Sequence, residues 1–358
     1  MLKSLARTAG FLAYFFITLE MLFMVTPFAL YYYSAYAPLL STPSRFQATA
    51  WLPAFFLPHL STEIMPSIGG LIFLIGLLGF LVGAWQVYYA KFRGRGVVKS
   101  GFYKLVRHPQ YFFLAVAGLG LLIVWPRFIL LIIYVHMLWF YYLLAYSEEE
   151  RMQSRYGKVY LELMQKTPMF IPGEPGGRLA RLLFGWILGR RLRLVVLYCA
   201  SLAVAISGAF ALRQLSLRLI THLTLPGDKL AAVSFLSSDG TQLYELIQSA
   251  KSDRDVQDRL RRQNGWILMQ ATNRKASVVH TMIDAGMMRG QAKNLPLAEE
   301  GTQLVFLQGK DEHLQKNPFE ASARWQPVFI AELDGRRVVR VLDLDETLFQ
   351  GNPVMPIF

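Results

Sequence analysis

"YFFLAVAGLGLLIVWPRFILLIIYVHMLWFYYLLAY" runs from Tyr111 to Tyr146 and decides how the chain is arranged. A helix that spans a membrane needs roughly 20 mostly apolar residues, and this stretch is too long for one. It is interrupted by Trp125-Pro126-Arg127. Proline lacks a backbone N–H and ends or kinks a helix. The stretch therefore predicts a helical hairpin: a helix over about 110–125, a tight turn, and a second helix over 128–147.

Working outward, the segments at about 10–33, 69–90 and 194–212 pass the same length test. With the hairpin they make about five transmembrane helices, so the fold class is an α-helical polytopic membrane protein. The first segment carries Lys3 and Arg7 before it and Ala35-Tyr36-Ala37 after it, which imitates a signal peptide. Its apolar run is too long for one, and Pro38 directly follows the small residues, so it reads as a retained helix. "WLPAFFLPHL" (51–60) is apolar but short and broken by proline, which places it at the membrane interface.

The charges divide the chain near residue 212. Residues 1–212 hold 19 Lys+Arg against 7 Glu and no Asp, whereas residues 213–358 hold 18 against 17. The basic excess lies in the apolar part, where it reports membrane topology rather than nucleic-acid binding. If the N-terminus is cytoplasmic, segments 1–9, 91–110 and 148–193 are inside and carry 17 of those 19, leaving Arg45 and Arg127 outside. Residues 213–358 then lie in a periplasm or lumen, with a bacterial inner membrane favoured over the endoplasmic reticulum. A single cysteine, Cys199, excludes an internal disulfide framework and a multi-cysteine metal site. Within its apolar run it reads as a small buried residue.

The C-terminal part, 213–358, alternates extended and helical patterns. "AAVSFL", "GWILMQ", "TQLVFLQ" and "PVFIAELDGRRVVRVLDL" read as strands, the last a hairpin around Asp334-Gly335. "TQLYELIQSAK" and "DVQDRLRRQ" read as helices. A soluble α+β domain follows. It reads as a recognition or assembly module for an extracytoplasmic protein partner.

Two polar clusters flank the hairpin at its cytoplasmic end: Arg107-His108-Pro109 at the entrance and Glu148-Glu149-Glu150 at the exit. Neighbouring helices of a tight hairpin bring the two together. Pro109 suits the first turn of a helix, which puts His108 at its N-cap and the positive helix end beside Arg107 and His108. That end suits a carboxylate or phosphate, while the glutamates can take a ribose diol or an ammonium group. S-adenosyl-L-methionine combines these groups. Taken singly, each cluster also has a plain reading, because basic residues anchor spans and glutamates face solvent.

"VVKSGFYKLVRHPQY" and "EEERMQSRYGKVYLELMQKTPMFIP" resemble the paired motifs of the isoprenylcysteine carboxyl methyltransferase and phospholipid methyltransferase superfamily, over about residues 69–172. The resemblance implies a membrane-embedded, S-adenosyl-L-methionine-dependent methyltransferase. Carried over position by position, it implies a cofactor site of Tyr103, Arg107, His108, Tyr111, Glu148 and Glu149, with Glu150 an extra. Gly120 fits a family glycine. The chain departs at Phe113, where family members often carry glycine, and a ring there bears on the width of the pocket. The implied acceptor is a lipid-like substrate entering from the membrane lipid bilayer, methylated at a carboxyl oxygen or an amine nitrogen. No covalent nucleophile, catalytic base or metal is implied.

Two other readings stand beside this one. An NADPH-dependent sterol or steroid reductase uses a similar His-Pro-x-Tyr arrangement, but its ending carries Trp where this chain has Tyr160. A non-catalytic methyltransferase-like core could instead anchor the outer domain. "VLDLDETLF" (341–349) imitates the first motif of haloacid-dehalogenase-like phosphatases, yet only nine residues follow it, so it reads as an acidic turn. Glu20 within the first span reads equally as a substrate-orienting acid or as a hydrogen-bonded packing residue. His136 and Tyr141-Tyr142 read as packing residues.

Overall fold

The computed structural model describes residues 22, 24–26, 49–57, 64–94, 96–171, 175–187, 189–236, 238–273, 301–309, 317–323 and 325–344. Most of the expected first span, including Glu20, lies outside them. Six helices of the apolar part are described: α1 (Ile64–Phe92), α2 (Pro109–Val124), α3 (Phe128–Tyr156), α4 (Lys158–Lys166), α5 (Pro175–Phe184) and α6 (Arg190–Leu219). The sheet domain follows as β1 (His222–Leu225), β2 (Leu230–Ser234), α7 (Gly240–Ser252), α8 (Arg254–Arg262), β3 (Trp266–Thr272), β4 (Thr302–Gly309), β5 (Trp325–Asp334) and β6 (Arg337–Asp343).

Among the described residues three helices are long and apolar enough to cross a membrane: α1, α3 and α6. The expected count of five is therefore not reached there. α2 is apolar but has 16 residues, about 24 Å at the helical rise. That falls short of a hydrocarbon core of roughly 30 Å. Along α1, Leu71, Leu74, Leu78, Leu81 and Trp85 form one exposed apolar stripe, a surface that a bilayer covers.

The chain divides into two compact units: Met1–Ala37, Ile68–Val124 and Leu130–Ile206 in the first, and Pro38–Ser67, Trp125–Ile129 and Ser207–Phe358 in the second. The division falls inside α6, after Ile206.

In the first unit, α1 and α2 pack closely because glycines face each other. A Cβ on Gly69 would lie 2.7 Å from the Gly120 carbonyl, and one on Gly120 would strike the Phe73 backbone. Small residues let helix backbones approach in this way. Phe80, Tyr111, Leu114, Met137, Tyr141, Ala145 and Met24 form the core beside them. α3 begins where expected but runs on to Tyr156, so the three glutamates sit in its last turns rather than beyond it. Cys199 is exposed on α6 and not buried in protein, because little of that helix is covered by the rest of the chain. His136 bonds the Tyr198 hydroxyl through Nε2 at 2.5 Å and the Ile132 carbonyl through Nδ1 at 2.7 Å, a packing arrangement between α3 and α6.

In the second unit the six strands lie in the order β1-β2-β3-β4-β5-β6. All pairs are antiparallel except β2–β3, where α7 and α8 form the crossover. Parallel neighbours require such a connection. Alternate residues split into two cores: Leu268, Val305, Leu307 and Trp325 on one face, and Met269, Phe306 and Phe329 with Leu243 and Ile247 of α7 on the other. Asp239 caps α7 in a reciprocal pair with Gln242. The expected hairpin is present, with Gly335 at a positive φ of 59° in its turn. The four-residue edge strand β1 was not foreseen, since four alternating residues give too short a period to read.

The apolar segment around 51–57 joins this same unit. Phe55 forms a bridge with Arg127, Phe56 N–H donates to the Pro126 carbonyl at 2.9 Å, and the Arg127 guanidinium donates to the Pro53 carbonyl at 3.0 Å. Arg127 also lies 4.6 Å from the Phe55 ring centroid.

Candidate functional site

The first unit's polar cluster is built at the start of α2. Pro109 is the first residue of α2, and the His108 carbonyl accepts the Phe112 N–H at 3.2 Å. The glycine of the Ser-Gly-x-Tyr motif also has a physical reason. Gly101 has φ +61°, and Gln86 of α1 fills the space where its side chain would go. The Gln86 side-chain oxygen accepts the Phe102 N–H at 3.1 Å, pinning the single 3-10 turn Gly101–Lys104. Tyr103 is buried within that turn.

Arg107 and His108 use their backbone amides differently from the sequence expectation. They are not left to a ligand: Arg107 N–H donates to the Pro168 carbonyl at 2.9 Å and His108 N–H to Met169 at 3.1 Å. The segment closing the second motif thus pairs with the segment opening the first.

The side chains converge across α2 and α3. Arg107 Nε donates to Glu149 Oε1 at 2.6 Å, and its Nη1 donates to the Met164 carbonyl at 3.0 Å and to the Thr167 carbonyl. His108 Nε2 lies 3.2 Å from Glu149 Oε1, and Nδ1 lies 3.6 Å from Glu148 Oε2. The second distance is an ion-pair contact and too long for a hydrogen bond. Burial of His108 lowers its pKa, but the Glu148 and Glu149 carboxylates outweigh burial and hold it above the usual histidine value.

Exposure separates the roles of these groups. Arg107 and Glu149 side chains are 8% and 7% exposed, whereas Glu148 is 35% exposed. Glu149 is committed to Arg107 and His108, and Glu148 is the carboxylate that a ligand can reach. Glu150 is exposed, as expected for an extra glutamate.

Aromatic rings complete the walls. Tyr111 lies 5.8 Å from the His108 ring and stacks on Tyr141 at 5.4 Å; Tyr141 in turn donates to the Met24 carbonyl at 2.8 Å. Phe170 lies 5.9 Å from His108. Tyr160 is buried, and its phenol is pushed up by burial and then by the charges of Glu149 and Glu148.

Of the expected residues, the structure brings together Arg107, His108, Tyr111, Glu148 and Glu149. Gly120 is not among them. It lies twelve residues from His108, about 18 Å along α2, and packs against α1 at Gly69 and Phe73. Phe113 turns its ring to α1, where a Cβ on Gly79 would run into it, and it lies 4.8 Å from the Phe102 ring. Its bulk is taken up between helices. Sequence reasoning missed Gln86, Tyr160 and the carbonyls of Met164, Thr167, Pro168 and Met169. The closing Thr-Pro-Met-Phe-Ile-Pro motif, residues 167–172, was the signal for these carbonyls other than that of Met164.

The phosphatase-like motif resolves otherwise. Asp343 ends β6 and forms a two-armed ion pair with Arg259, at 2.6 and 2.8 Å. Asp345 and Thr347 lie outside the described residues.

One end of the apolar hairpin thus carries Arg107 and His108 beside the paired Glu148 and Glu149. Residues 68–159 match the family model of phospholipid methyltransferases, and so meet the resemblance read from the motifs. No curated protein and no solved structure matches the chain.

The cluster also fits the cofactor of such enzymes in donor and acceptor type. A reachable carboxylate, Glu148, suits hydroxyl or ammonium groups, and His108 at a helix start suits a carboxylate.

Proposed function

We propose that this protein is an integral-membrane methyltransferase that uses S-adenosyl-L-methionine to methylate a lipid-like acceptor, at a carboxyl oxygen or an amine nitrogen. The observation that carries the reading is the Arg107–Glu149–His108–Glu148 cluster. It joins the two halves of the motif, inside the segment that matches the phospholipid methyltransferase family.

In this reading Glu148 accepts hydrogen bonds from the cofactor's hydroxyl or ammonium groups, and His108 with the start of α2 takes its carboxylate. Tyr111 offers a ring face to a cation. Arg107 and Glu149 position these groups and do not themselves contact the cofactor. When bound, the cofactor supplies a methyl group on a sulfonium, an activated leaving group for in-line displacement. The protein then has to align acceptor and methyl and exclude water. The cluster lies on the cytoplasmic side in the orientation set by the basic residues, with residues 213–358 across the membrane.

The test is binding to the purified protein in detergent, with S-adenosyl-L-methionine and NADPH compared side by side. Saturable binding of the first and none of the second is expected. Binding of NADPH alone, or of neither, overturns the proposal.

A further inference from the structure

A second site is built from residues of the other unit. The apolar run of α6 from Leu194 to Leu212 ends at Arg213, the first charge after it. Arg213 is nonetheless 2% exposed. Its Nη1 donates to the Phe55 carbonyl at 2.6 Å and its Nη2 to the Phe319 carbonyl at 2.9 Å. Among the described residues no carboxylate pairs with it. The two neutral carbonyls take two of its five N–H hydrogens and do not cancel its charge, and a buried charge without a counter-ion is costly.

Arg213 lines a cavity of about 540 Å³, a size typical of ligand sites. One wall is aromatic, with Trp51 and Phe210 5.4 Å apart. Arg218 and His222 line it too, the latter held by Nδ1 to the Ile220 carbonyl at 2.9 Å. Among the described residues Glu320 is the one lining carboxylate, so two guanidinium groups face one acid there. The balance favours one further negative charge.

We propose that this cavity binds an amphiphile with a singly anionic head group, phosphodiester or carboxylate, drawn from the adjoining leaflet. The head lies on Arg213 and Arg218, and the chain leaves along Trp51 and Phe210. The position of Arg213 sets the depth, because the end of an apolar span lies at head-group level. A neutral lipid leaves Arg213 uncompensated, and a free anion makes no use of the aromatic wall. The cavity shares no residue with the Arg107–Glu149 cluster, so the inference does not depend on methyl transfer.

The test titrates the full-length protein in neutral detergent with dioctanoyl phosphatidylglycerol, dioctanoyl phosphatidylcholine and inorganic phosphate. Saturable binding of phosphatidylglycerol is expected, about tenfold or more tighter than either of the others. Arg213→Gln removes two structural hydrogen bonds and can unfold the unit, so the exposed Arg218 is the informative site. Arg218→Glu is expected to weaken phosphatidylglycerol binding about tenfold or more with an unchanged melting temperature. A photoactivatable phosphatidylglycerol is expected to label peptides around Trp51 and Phe210. Equal affinity for phosphatidylcholine or for inorganic phosphate, unchanged affinity in Arg218→Glu, or labelling confined elsewhere each overturns the proposal.

Discussion

Arg107 and Glu149 stand 42 positions apart in the chain and meet at 2.6 Å with both side chains almost fully buried. The contact ties the entrance of the hairpin to its exit. Removing one partner of a buried pair leaves the other charge stranded, at about 3–5 kcal/mol. Glu149→Ala is therefore expected to lower the melting temperature in detergent sharply. The double variant with Arg107→Ala should lose less than the sum of the two single losses. Additive losses would show that the pair is not coupled.

Glu148→Gln separates ligand contact from scaffolding. Glu148 is the more exposed member of the cluster, so its loss should cost less stability than the loss of buried Glu149. S-adenosyl-L-methionine binding should weaken about tenfold or more, the effect of a lost hydrogen bond to a charged group. Equilibrium titration of the purified variant reads both arms.

The protonation of His108 sets a pH dependence. Glu148, Glu149, Arg107 and Tyr160 act on or around it, and its folded pKa lies above the ordinary value of about 6.5. A raised pKa stabilises the fold fully below the unfolded value, and that contribution is lost as pH rises through the folded one. Melting temperature should accordingly fall as pH rises above about 6.5, and His108→Gln should flatten that fall. An identical profile in the variant would refute the assignment.

Gly79 and Phe113 make a steric pair. Gly79→Ala is expected to cost about 1–3 kcal/mol, because the added methyl meets the Phe113 ring. Phe113→Ala introduced with it should restore most of the loss. Thermal melts of the two single variants and the double variant decide the matter.

Much of this was legible in the sequence for physical reasons. Pro126 ends α2 because proline cannot continue a helix, and the short continuous apolar runs of β3 and β4 mark strands buried on both faces. The joining of Arg107 and His108 to Glu148 and Glu149 followed from the hairpin. The length of α3 did not, because a helix that leaves an apolar span can continue in charged residues without any change of period. The clamp on Arg107 was hidden as well, since backbone carbonyls such as those of Met164 and Thr167 carry no residue identity. Nor does the sequence say which way Phe113 turns, as that depends on an opening supplied by another helix.

That opening has a consequence for descent. The resemblance implies a glycine at the Phe113 position; here a ring stands there and Gly79 on the neighbouring helix makes room for it, so a change at either position calls for an exchange at the other. Such an exchange cannot be made one step at a time without passing through a crowded or a hollow intermediate. Among relatives of this chain the two positions should therefore change together, a small residue at one accompanying a large residue at the other.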